Sequence, residues 1–562
     1  MILNHITELV AICAKKGIKN VILSPGSRCA PITISFARHT QIHTRTISDE
    51  RSAAFIALGM AQQLEEPVAL VCTSGSAALN YYPAIAEAYF QQVPLLVLTS
   101  DRPKEWIDQY DGQTIFQEGV YGKHVKKSFQ FPNFVGTPDD EWLANRISNE
   151  AINLAKEFPA GPVHINIPLK EPFYPVDEEE IIFPEKPRIF NQAHSYSQLA
   201  EESFMKLKSR LESFNRILII AGQQRPNNQI QETLTKLSTQ KKVVVVTDTI
   251  SNLQSDYSIN LHDHWLNSAE IWAGLKPDLI ISFGKSIISK SLKLFLRNTD
   301  ASHWLIQPDG KAKDTFQNLT RILPTSPSYF LGWMMNNLTN QNSEFYNSWH
   351  GLEQKIKDQL PEIIDSVGFG EYAALQTALE KTPISSKIHV ANSMSVRYLN
   401  FLGKRDQEII CNRGTSGIDG SNSTAVGCTF TTKELVTLVT GDLAFFYDRN
   451  AFWHNYTMPN LRIILLNNHA GGIFRIIDGP KNQPEFVEYF ETKQNLTAQH
   501  LATEYGFYYS KVVNKEELQA SLKDFYSDSV HPKILEIETS SKINLELLQL
   551  IKGRISEVLK SR

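Results

Sequence analysis

The sequence contains little of what marks a secreted or nucleic-acid-binding protein. Its 562 residues include five cysteines, without a C-x-x-C pair or a zinc-ligand spacing, and such an odd, scattered set is typical of reduced thiols in the cytoplasm. The formal net charge is −4, and no long lysine–arginine cluster occurs, so we expect no nucleic-acid partner. Affinity for anionic substrates must therefore come from individual arginines.

Targeting and membrane-spanning patterns are absent from the sequence as well. The first residues lack the basic region and long apolar core of a signal peptide, and no apolar run reaches the length of a transmembrane helix. We therefore expect a cytoplasmic protein with no membrane span.

Apolar runs of strand length alternate with segments of helical length, which predicts an α/β protein with doubly wound parallel sheets. The runs fall into three groups, as expected for a chain that is too long for one core. A proline- and acid-rich stretch at 171–187 and a polar stretch at 336–348 separate the groups. We predict three domains, at residues 1–180, 190–345 and 365–562.

Two predicted strands of the third group end in oxygen-bearing side chains. Asp442 follows the apolar run 434–440, and Asn468 follows the run 461–466. Because ligands of doubly wound sheets collect at the carboxyl ends of strands, we expect the carboxylate and the amide oxygen to lie side by side, where they suit Mg²⁺ or Mn²⁺. A turn with a helix cap is the alternative interpretation of Asp442.

An acidic residue, Glu50, begins a predicted helix in the first group. Capping alone explains an acid at this position, because carboxylates favour helix N-termini. The small residues that follow, including Ala53, Ala57 and Gly59, allow this helix to pack closely against another backbone.

The Glu50, Asp442 and Asn468 segments resemble those of thiamine-diphosphate enzymes, and four further segments narrow the resemblance to the 2-succinyl-5-enolpyruvyl-6-hydroxy-3-cyclohexene-1-carboxylate synthase family. Each of the four follows a predicted strand, and they are SPGSR at 24–28, TSDRP at 99–103, NSMSVR at 392–397 and NRGTSGIDG at 412–420. The match covers the first and third domains, whereas the middle domain matches weakly. The resemblance implies a thiamine-diphosphate-binding fold whose first domain binds the pyrimidine and whose third binds the diphosphate.

The activity implied by the resemblance is that of a transferase, a carboligase dependent on thiamine diphosphate and Mg²⁺ or Mn²⁺. It decarboxylates 2-oxoglutarate and adds the succinyl unit to isochorismate by conjugate, Stetter-type addition, with release of CO2 and retention of the enolpyruvyl group, in menaquinone or phylloquinone biosynthesis. The two substrates carry four carboxylates, and arginine offers a planar fork for each. The resemblance also implies active sites at the subunit interface of a homodimer or a dimer of dimers.

The resemblance further implies a role for each candidate residue. Glu50 would exchange a proton with N1′ of the cofactor pyrimidine, and Ile418 would be the apolar wedge beneath the cofactor. The metal ligands would be Asp442, Asn468 and the main-chain carbonyl of Ala470. Ser393, Arg397 and Arg413 would hold the succinyl end. The residues that would meet isochorismate or the intermediate are Ser27, Arg28, Arg102, Gln113 and Lys290, and those that would line the apolar side near the cofactor are Ile473, Phe474 and Ile477.

The sequence departs from the family pattern at three places. The spacing from Asp442 to Asn468 is one residue shorter than usual, and Ala470 stands where glycine is usual. Ser291 follows Lys290 where a second basic residue is usual, so either one isochorismate contact is weaker or another cation, such as Lys285, compensates.

Two alternatives to this activity remain. The first is another thiamine-diphosphate 2-oxoacid decarboxylase or carboligase. Adjacent histidines, common in the first domain of such decarboxylases, are replaced here by the lone His124, and the middle domain lacks the G-x-G-x-x-G fingerprint expected of an FAD- or NAD-binding domain. The second is a non-catalytic cofactor-binding or scaffold protein, which the retention of Glu50, Asp442 and Asn468 disfavours.

Overall fold

The computed structural model describes residues 4–133, 136–171, 173–175, 180–193, 197–477 and 479–560. It contains three β-sheets, and every strand pair in them is parallel. The predicted α/β class with three parallel sheets is thereby confirmed. Each sheet lies within one of the three predicted domain ranges, and the boundaries between the domains stay predictions.

The first sheet has six strands in the order β2-β1-β3-β4-β6-β5. Its inner strands are almost wholly buried, because a parallel sheet is covered by helices on both faces, and this explains their continuous apolar runs. The strands are β1 (Asn20–Leu23), β2 (His43–Thr46), β3 (Val68–Cys72), β4 (Leu95–Asp101), β5 (Ser128–Gln130) and β6 (Pro162–Pro168). The helices are α1 (Asn4–Lys15), α2 (Ala30–Arg38), α3 (Glu50–Leu64), α4 (Ser76–Asn80), α5 (Tyr82–Gln91) and α6 (Pro138–Lys156).

The second sheet has five strands in the order β11-β10-β9-β7-β8. The strands are β7 (Ile217–Ala221), β8 (Val244–Thr247), β9 (Leu279–Phe283), β10 (Ser302–Ile306) and β11 (Leu319–Leu323). The helices are α7 (Glu201–Leu211), α8 (Asn228–Thr239), α9 (Lys290–Arg297), α10 (Pro327–Asn337) and α11 (Ser343–Ser366). Helix α11 fills most of the interval between the second and third predicted domains.

The third sheet repeats the strand order of the first, as β13-β12-β14-β15-β17-β16. The strands are β12 (Lys387–Val390), β13 (Ile409–Ile410), β14 (Val436–Gly441), β15 (Leu461–Asn467), β16 (Tyr508–Val512) and β17 (Lys533–Glu538). The helices are α12 (Glu371–Glu380), α13 (Met394–Leu402), α14 (Ser421–Thr429), α15 (Asp442–Tyr447), α16 (Gln499–Tyr505), α17 (Lys515–Phe525) and α18 (Ser541–Lys560). The chain reverses its direction of winding between β1 and β3 in the first sheet, and between β12 and β14 in the third.

Helices α3 and α14 join the first and third sheets through a backbone-to-backbone contact. A Cβ atom on Gly59 of α3 would lie 2.1 Å from the carbonyl oxygen of Thr424, and one on Gly427 of α14 would lie 2.1 Å from that of Ile56. These distances are far below van der Waals contact, so only glycine permits the approach. The small residues after Glu50 therefore pack against another backbone, as their pattern predicts.

All five cysteines are free and buried, as the sequence predicts for reduced thiols. Burial raises the pKa of the Cys13, Cys411 and Cys428 thiols to about 12. Among the described residues, no helix combines the length and the apolar character needed to cross a bilayer.

Helix α11 links the second sheet to the third. One hydrophobic cluster runs from the second sheet through α11 to the third sheet and α18. Within it, the Glu353 carboxylate accepts hydrogen bonds from the backbone N–H groups of Asn260 (3.0 Å) and Leu261 (3.1 Å). Burial raises the pKa of Glu353 to about 7, although these two bonds oppose the shift.

Gly59→Ala should destabilise the chain, because its methyl group would overlap the Thr424 carbonyl, and overpacking typically costs about 1–3 kcal/mol. The apparent midpoint of urea unfolding measures the effect. Gly553→Ala in α18 is the matched control, since a Cβ there meets nothing within 4 Å. The control should be neutral or stabilised by up to about 1 kcal/mol, from the higher helix propensity of alanine. Equal midpoints for the two variants would contradict the contact.

Glu353 should make stability depend on pH. Its pKa is higher in the folded chain than the ordinary 4.5, so its contribution is fully present below about pH 4.5 and is lost as the pH rises through about 7. We expect the unfolding free energy of the parent, relative to that of Glu353→Gln, to fall between these two pH values. Glu344→Gln, an exposed carboxylate of the same helix, is the control. A difference that stays flat or rises with pH would count against this assignment.

Candidate functional site

Three candidate residues of the third domain lie at the point where the winding of its sheet reverses. Ser393 and the helix that carries Arg397 follow β12, and Asp442 follows β14, the adjacent strand. In the first domain, Ser27 and Arg28 follow β1, next to β3. The carboxyl ends of adjacent parallel strands at such a reversal form the crevice in which doubly wound sheets bind ligands.

Asp442 is the first residue of α15 and is only 3% exposed. The side-chain amide of Gln494 donates a hydrogen bond of 2.7 Å to its Oδ2 atom. Burial raises the pKa of Asp442 to about 6, and the Gln494 bond opposes the shift. A buried carboxylate with a raised pKa gains most from a nearby cation, which would restore its charged form.

Asn468 is oriented by two hydrogen bonds. Its Nδ2 donates to Oε1 of Glu371 (2.7 Å), and its Oδ1 accepts from the backbone N–H of Ala470 (3.1 Å). The two bonds together fix which end of the amide carries the oxygen. The backbone N–H of Ala470 also lowers the pKa of Asp442, so both predicted ligand side chains lie near one backbone amide.

Glu371, at the start of α12, was not predicted from the sequence. It is 2% exposed, and burial, together with the charge of Asp442, raises its pKa to about 7. In the sequence it is an acid at a helix N-terminus, which is common. Gln494 lies in a loop and gives no sequence signal at all; both residues support the candidate ligands through space.

The ligand set fits a hard cation. It comprises one carboxylate, one amide oxygen and one main-chain carbonyl, and Mg²⁺ accepts such oxygens while keeping water or phosphate at its other positions. Within the described ranges, no three or more His, Cys, Asp and Glu side chains form a group that could hold a metal. The left-handed backbone conformation of this turn falls on His469 (φ 61°) and not on Ala470, so alanine is compatible with the position where glycine is usual.

Arg397 and Arg413 lie together and, among the described residues, neither forms a hydrogen bond to a carboxylate. Nη1 of Arg397 donates to the carbonyl of Ser393 (2.6 Å), and Nη1 of Arg413 donates to Oδ1 of Asn392 (2.9 Å). Burial and the charge of Arg413 lower the pKa of Arg397. Nε of Arg413 is buried without a partner among the described residues. The pair therefore presents positive charge and free donors, which suit an anion.

A third cation, Lys293, was also missed by sequence reasoning. It is half-buried one turn along α9 from Lys290, which is exposed at the first position of the helix. Burial lowers the pKa of Lys293; Asp248 opposes this, and the charges of Arg413 and Arg397 lower the pKa further. Lys285 donates instead to the carbonyl of Gln91. Lys293 is thus the cation of α9 whose charge interacts with the arginine pair.

The candidate residues of the first domain also gather at one edge. Arg28 is buried, donates to the carbonyl of Leu169 (2.9 Å) and lies 4.5 Å from the centre of the Phe173 ring. Burial, followed by the neighbouring charge of Arg102, lowers the pKa of Arg28. Arg102 pairs with Asp111 at 2.9 Å.

The Arg102 side chain also supports the turn that carries Gln113. It donates to the carbonyl of Gly112 at 2.6 Å, directly before Gln113, which is exposed with a left-handed φ of 57°. Ser27 is exposed beside Arg28. The interaction between the two arginine charges and the bond from Arg102 to the turn at Gly112 show that four predicted residues lie near one another. They are Ser27, Arg28, Arg102 and Gln113.

Glu50 is the first residue of α3 and is half-buried. Its carboxylate accepts a weak hydrogen bond of 3.5 Å from Asn80, also in the first domain. A meeting of Glu50 with the metal ligands across a subunit interface stays a prediction.

The apolar candidates follow two strands of the third sheet, Ile418 after β13 and Ile473, Phe474 and Ile477 after β15. Ile473 and Phe474 lie in the short turn Gly472–Arg475 and are partly buried. Ile418 and Ile477 are 38% and 39% exposed in the single chain, so both are available to contact a ligand.

The sequence matches two family models of thiamine pyrophosphate enzymes. A model of the thiamine pyrophosphate enzyme N-terminal binding domain matches residues 5–123, and one described as the middle domain of thiamine pyrophosphate matches residues 187–388. The second match covers the region in which the sequence motifs are weak.

Similar full-length proteins are named 2-succinyl-5-enolpyruvyl-6-hydroxy-3-cyclohexene-1-carboxylate synthase. The protein from Cytophaga hutchinsonii is 45% identical over 559 residues, covering 98% of this chain and 99% of its own. The protein from Christiangramia forsetii is 41% identical, covering 96% and 97%. The protein from Flavobacterium johnsoniae is 37% identical, also covering 96% and 97%. The similarity therefore extends over all three sheets.

Proposed function

The chain belongs to the 2-succinyl-5-enolpyruvyl-6-hydroxy-3-cyclohexene-1-carboxylate synthase family of thiamine-diphosphate enzymes, and we propose that it joins 2-oxoglutarate to isochorismate with loss of CO2, a step of menaquinone biosynthesis. The observation that carries the substrate assignment is the pair Arg397 and Arg413, whose charges interact. They donate to Ser393 and Asn392, which follow β12, the strand next to the one that ends before Asp442. A 2-oxo acid with a second carboxylate needs such a pair, and a simple 2-oxo acid does not.

The cation site would hold the diphosphate end of the cofactor. Asp442, Asn468 and the carbonyl of Ala470 supply three oxygens to Mg²⁺ or Mn²⁺, which leaves positions for phosphate oxygens and water. Glu371 and Gln494 keep the first two side chains in place through their hydrogen bonds. Bound thiamine diphosphate supplies the nucleophilic carbon and the electron sink for decarboxylation.

The remaining protein groups bind, orient and exclude water. Arg397 and Arg413 hold the distal carboxylate of 2-oxoglutarate, and Ser393 lies beside them. Glu50 holds a proton at N1′ of the pyrimidine ring, and Ile418 supports the bent cofactor. Ile473, Phe474 and Ile477 keep water from the reacting carbon, because protonation there would release an aldehyde in place of the coupled product.

Isochorismate would bind at the edge of the first domain. Arg28 and Arg102 offer positive charge for its carboxylates, and Ser27 and Gln113 offer polar contacts. Lys290 would also face this substrate, with Lys293 making up for the charge lost at Ser291.

A homodimer, or a dimer of dimers, would complete the site by bringing Glu50 of one chain to the cation site of the other. Exposed aromatic side chains near the first-domain edge support this arrangement, among them Trp106, Tyr110 and Phe116. Large aromatic residues are enriched at the cores of protein interfaces.

The proposed activity predicts a coupled product when the protein receives 2-oxoglutarate, isochorismate, thiamine diphosphate and Mg²⁺. Mass spectrometry should detect one molecule of product for each CO2 released. Glu50→Gln should lower the rate by about a hundredfold or more, since it removes the proton-exchanging group, while it keeps cofactor affinity. CO2 release that is indifferent to isochorismate would favour a simple 2-oxoacid decarboxylase, and full activity of Glu50→Gln would refute the proton-transfer role.

Asp442→Asn should weaken thiamine diphosphate binding in the presence of Mg²⁺ by about tenfold or more, because the cation loses its charged protein ligand. Isothermal titration calorimetry measures the affinity directly. Asp300→Asn, a substitution of an exposed carboxylate between α9 and β10, is the control and should bind as the parent does. Unchanged affinity of the Asp442 variant would rule out this cation site.

A further inference from the structure

Within the third domain, Asn412 donates to the Thr424 hydroxyl (2.9 Å), and Asn392 donates to the carbonyls of Asn412 (2.6 Å) and Gly417 (2.7 Å). These bonds anchor both ends of the loop that carries Arg413. It runs from β13 to α14, and β13 is a two-residue edge strand that pairs with β12 alone. Arg413 itself is tied to the third domain by its bond to Asn392. Gly414 and Thr415, the two residues directly after Arg413, lie between these anchors and have further contacts outside the third domain.

Glu87 of α5, in the first domain, supplies these contacts. Its side chain is fully buried. Oε1 accepts from the backbone N–H of Gly414 at 2.8 Å, and Oε2 accepts from the N–H (2.5 Å) and hydroxyl (2.7 Å) of Thr415. An ionised carboxylate is an acceptor only, so it matches this set of donors, and charge-assisted hydrogen bonds are the stronger kind.

The close approach of Glu87 also depends on Gly414. A Cβ atom on Gly414 would lie 2.7 Å from the main-chain carbonyl oxygen of Glu87 and 3.0 Å from its carboxyl carbon. The loop residue directly after Arg413 is therefore pressed against both the backbone and the side chain of Glu87.

A second layer of hydrogen bonds holds Glu87 from the middle domain. Gln91, one turn along α5, donates to Oε1 of Glu87 (2.6 Å) and to the carbonyl of Cys411 (3.0 Å). Gln223, after β7, donates to Oε1 of Gln91 (3.1 Å) and to the same Cys411 carbonyl (2.8 Å). Lys285 donates to the Gln91 main-chain carbonyl. All three domains thus meet at the end of β13.

We propose that Glu87 is a positioning residue for Arg413, which sets the guanidinium group against the distal carboxylate of the 2-oxo acid and so contributes to the choice of 2-oxoglutarate. The inference rests on the proposed function, because it takes Arg413 as the contact to that carboxylate. Glu87 touches no reacting atom; it acts through the backbone of Gly414 and Thr415.

The test compares 2-oxoglutarate with 2-oxopentanoate, which carries a methyl group in place of the distal carboxylate. Glu87→Gln keeps the side-chain size but turns one acceptor oxygen into a donor that faces N–H groups. The parent's preference, the ratio of kcat/KM for the two acids, should fall about tenfold. The loss should appear mainly in KM for 2-oxoglutarate, with KM for isochorismate unchanged. CO2 release in the presence of isochorismate provides the rates.

Arg413→Gln provides the reference for this effect. It should lose the same preference, and the double variant should lose no more than Arg413→Gln alone, because a residue that acts only through Arg413 has nothing left to position. Glu141→Gln, at an exposed site on α6, is the matched control and should keep the parent's ratio. Thr415→Ala removes only the hydroxyl bond and should produce a smaller fall in the same ratio.

Full retention of the preference by Glu87→Gln, while Arg413→Gln loses it, would overturn the inference. Additive losses in the double variant would also overturn it, since they would make Glu87 a structural residue independent of Arg413. If Glu87→Gln does not fold, Thr415→Ala decides in its place, and an unchanged ratio rejects the role. A parent enzyme that does not distinguish the two acids would instead refute the proposed function.

Discussion

The backbone contact between α3 and α14 is the constraint on which the relation of the first and third domains depends. Because Gly59 and Gly427 have no Cβ atom, the two helices approach closely. The carbonyl oxygen of the facing helix occupies the space that a side chain at either glycine would need. Glu50 begins α3, and the loop with Arg413 and Ile418 leads directly into α14. The register of one helix pair therefore sets the positions of the candidate proton-exchanging acid and of the candidate substrate clamp.

The first and third sheets carry candidate site residues at corresponding positions. Both have the same strand order, and in both a pair of candidate residues follows the first strand of the reversal, Ser27 and Arg28 after β1 and Ser393 and Arg397 after β12. Each edge also holds two arginines close enough for the charge of one to lower the pKa of the other, Arg28 with Arg102 and Arg397 with Arg413. A bound carboxylate would reduce the repulsion within either pair, and in the first domain Asp111 already pairs with Arg102.

The three parallel sheets and the strands that carry the candidate residues could largely be predicted from the sequence, because buried parallel strands appear in it as continuous apolar runs. Asp442 and Asn468 stand at the ends of such runs. They lie close together because β14 and β15 are neighbouring strands of the sheet. Three of the edge strands were harder to predict, because β2 buries none of its residues and β11 and β16 bury one each. Glu87, Lys293 and Glu371 were missed for another reason: each resembles an ordinary charge on a helix, and only folding shows that it faces another domain or another ligand.

The enclosed thiols have a practical consequence. With pKa values raised to about 12 for Cys13, Cys411 and Cys428, almost none of the reactive thiolate exists at neutral pH while the chain is folded. Cys428 lies within α14, the helix that contacts α3. Alkylating reagents would therefore modify these thiols only when the chain opens, and modification of Cys428 would report separation of the two helices.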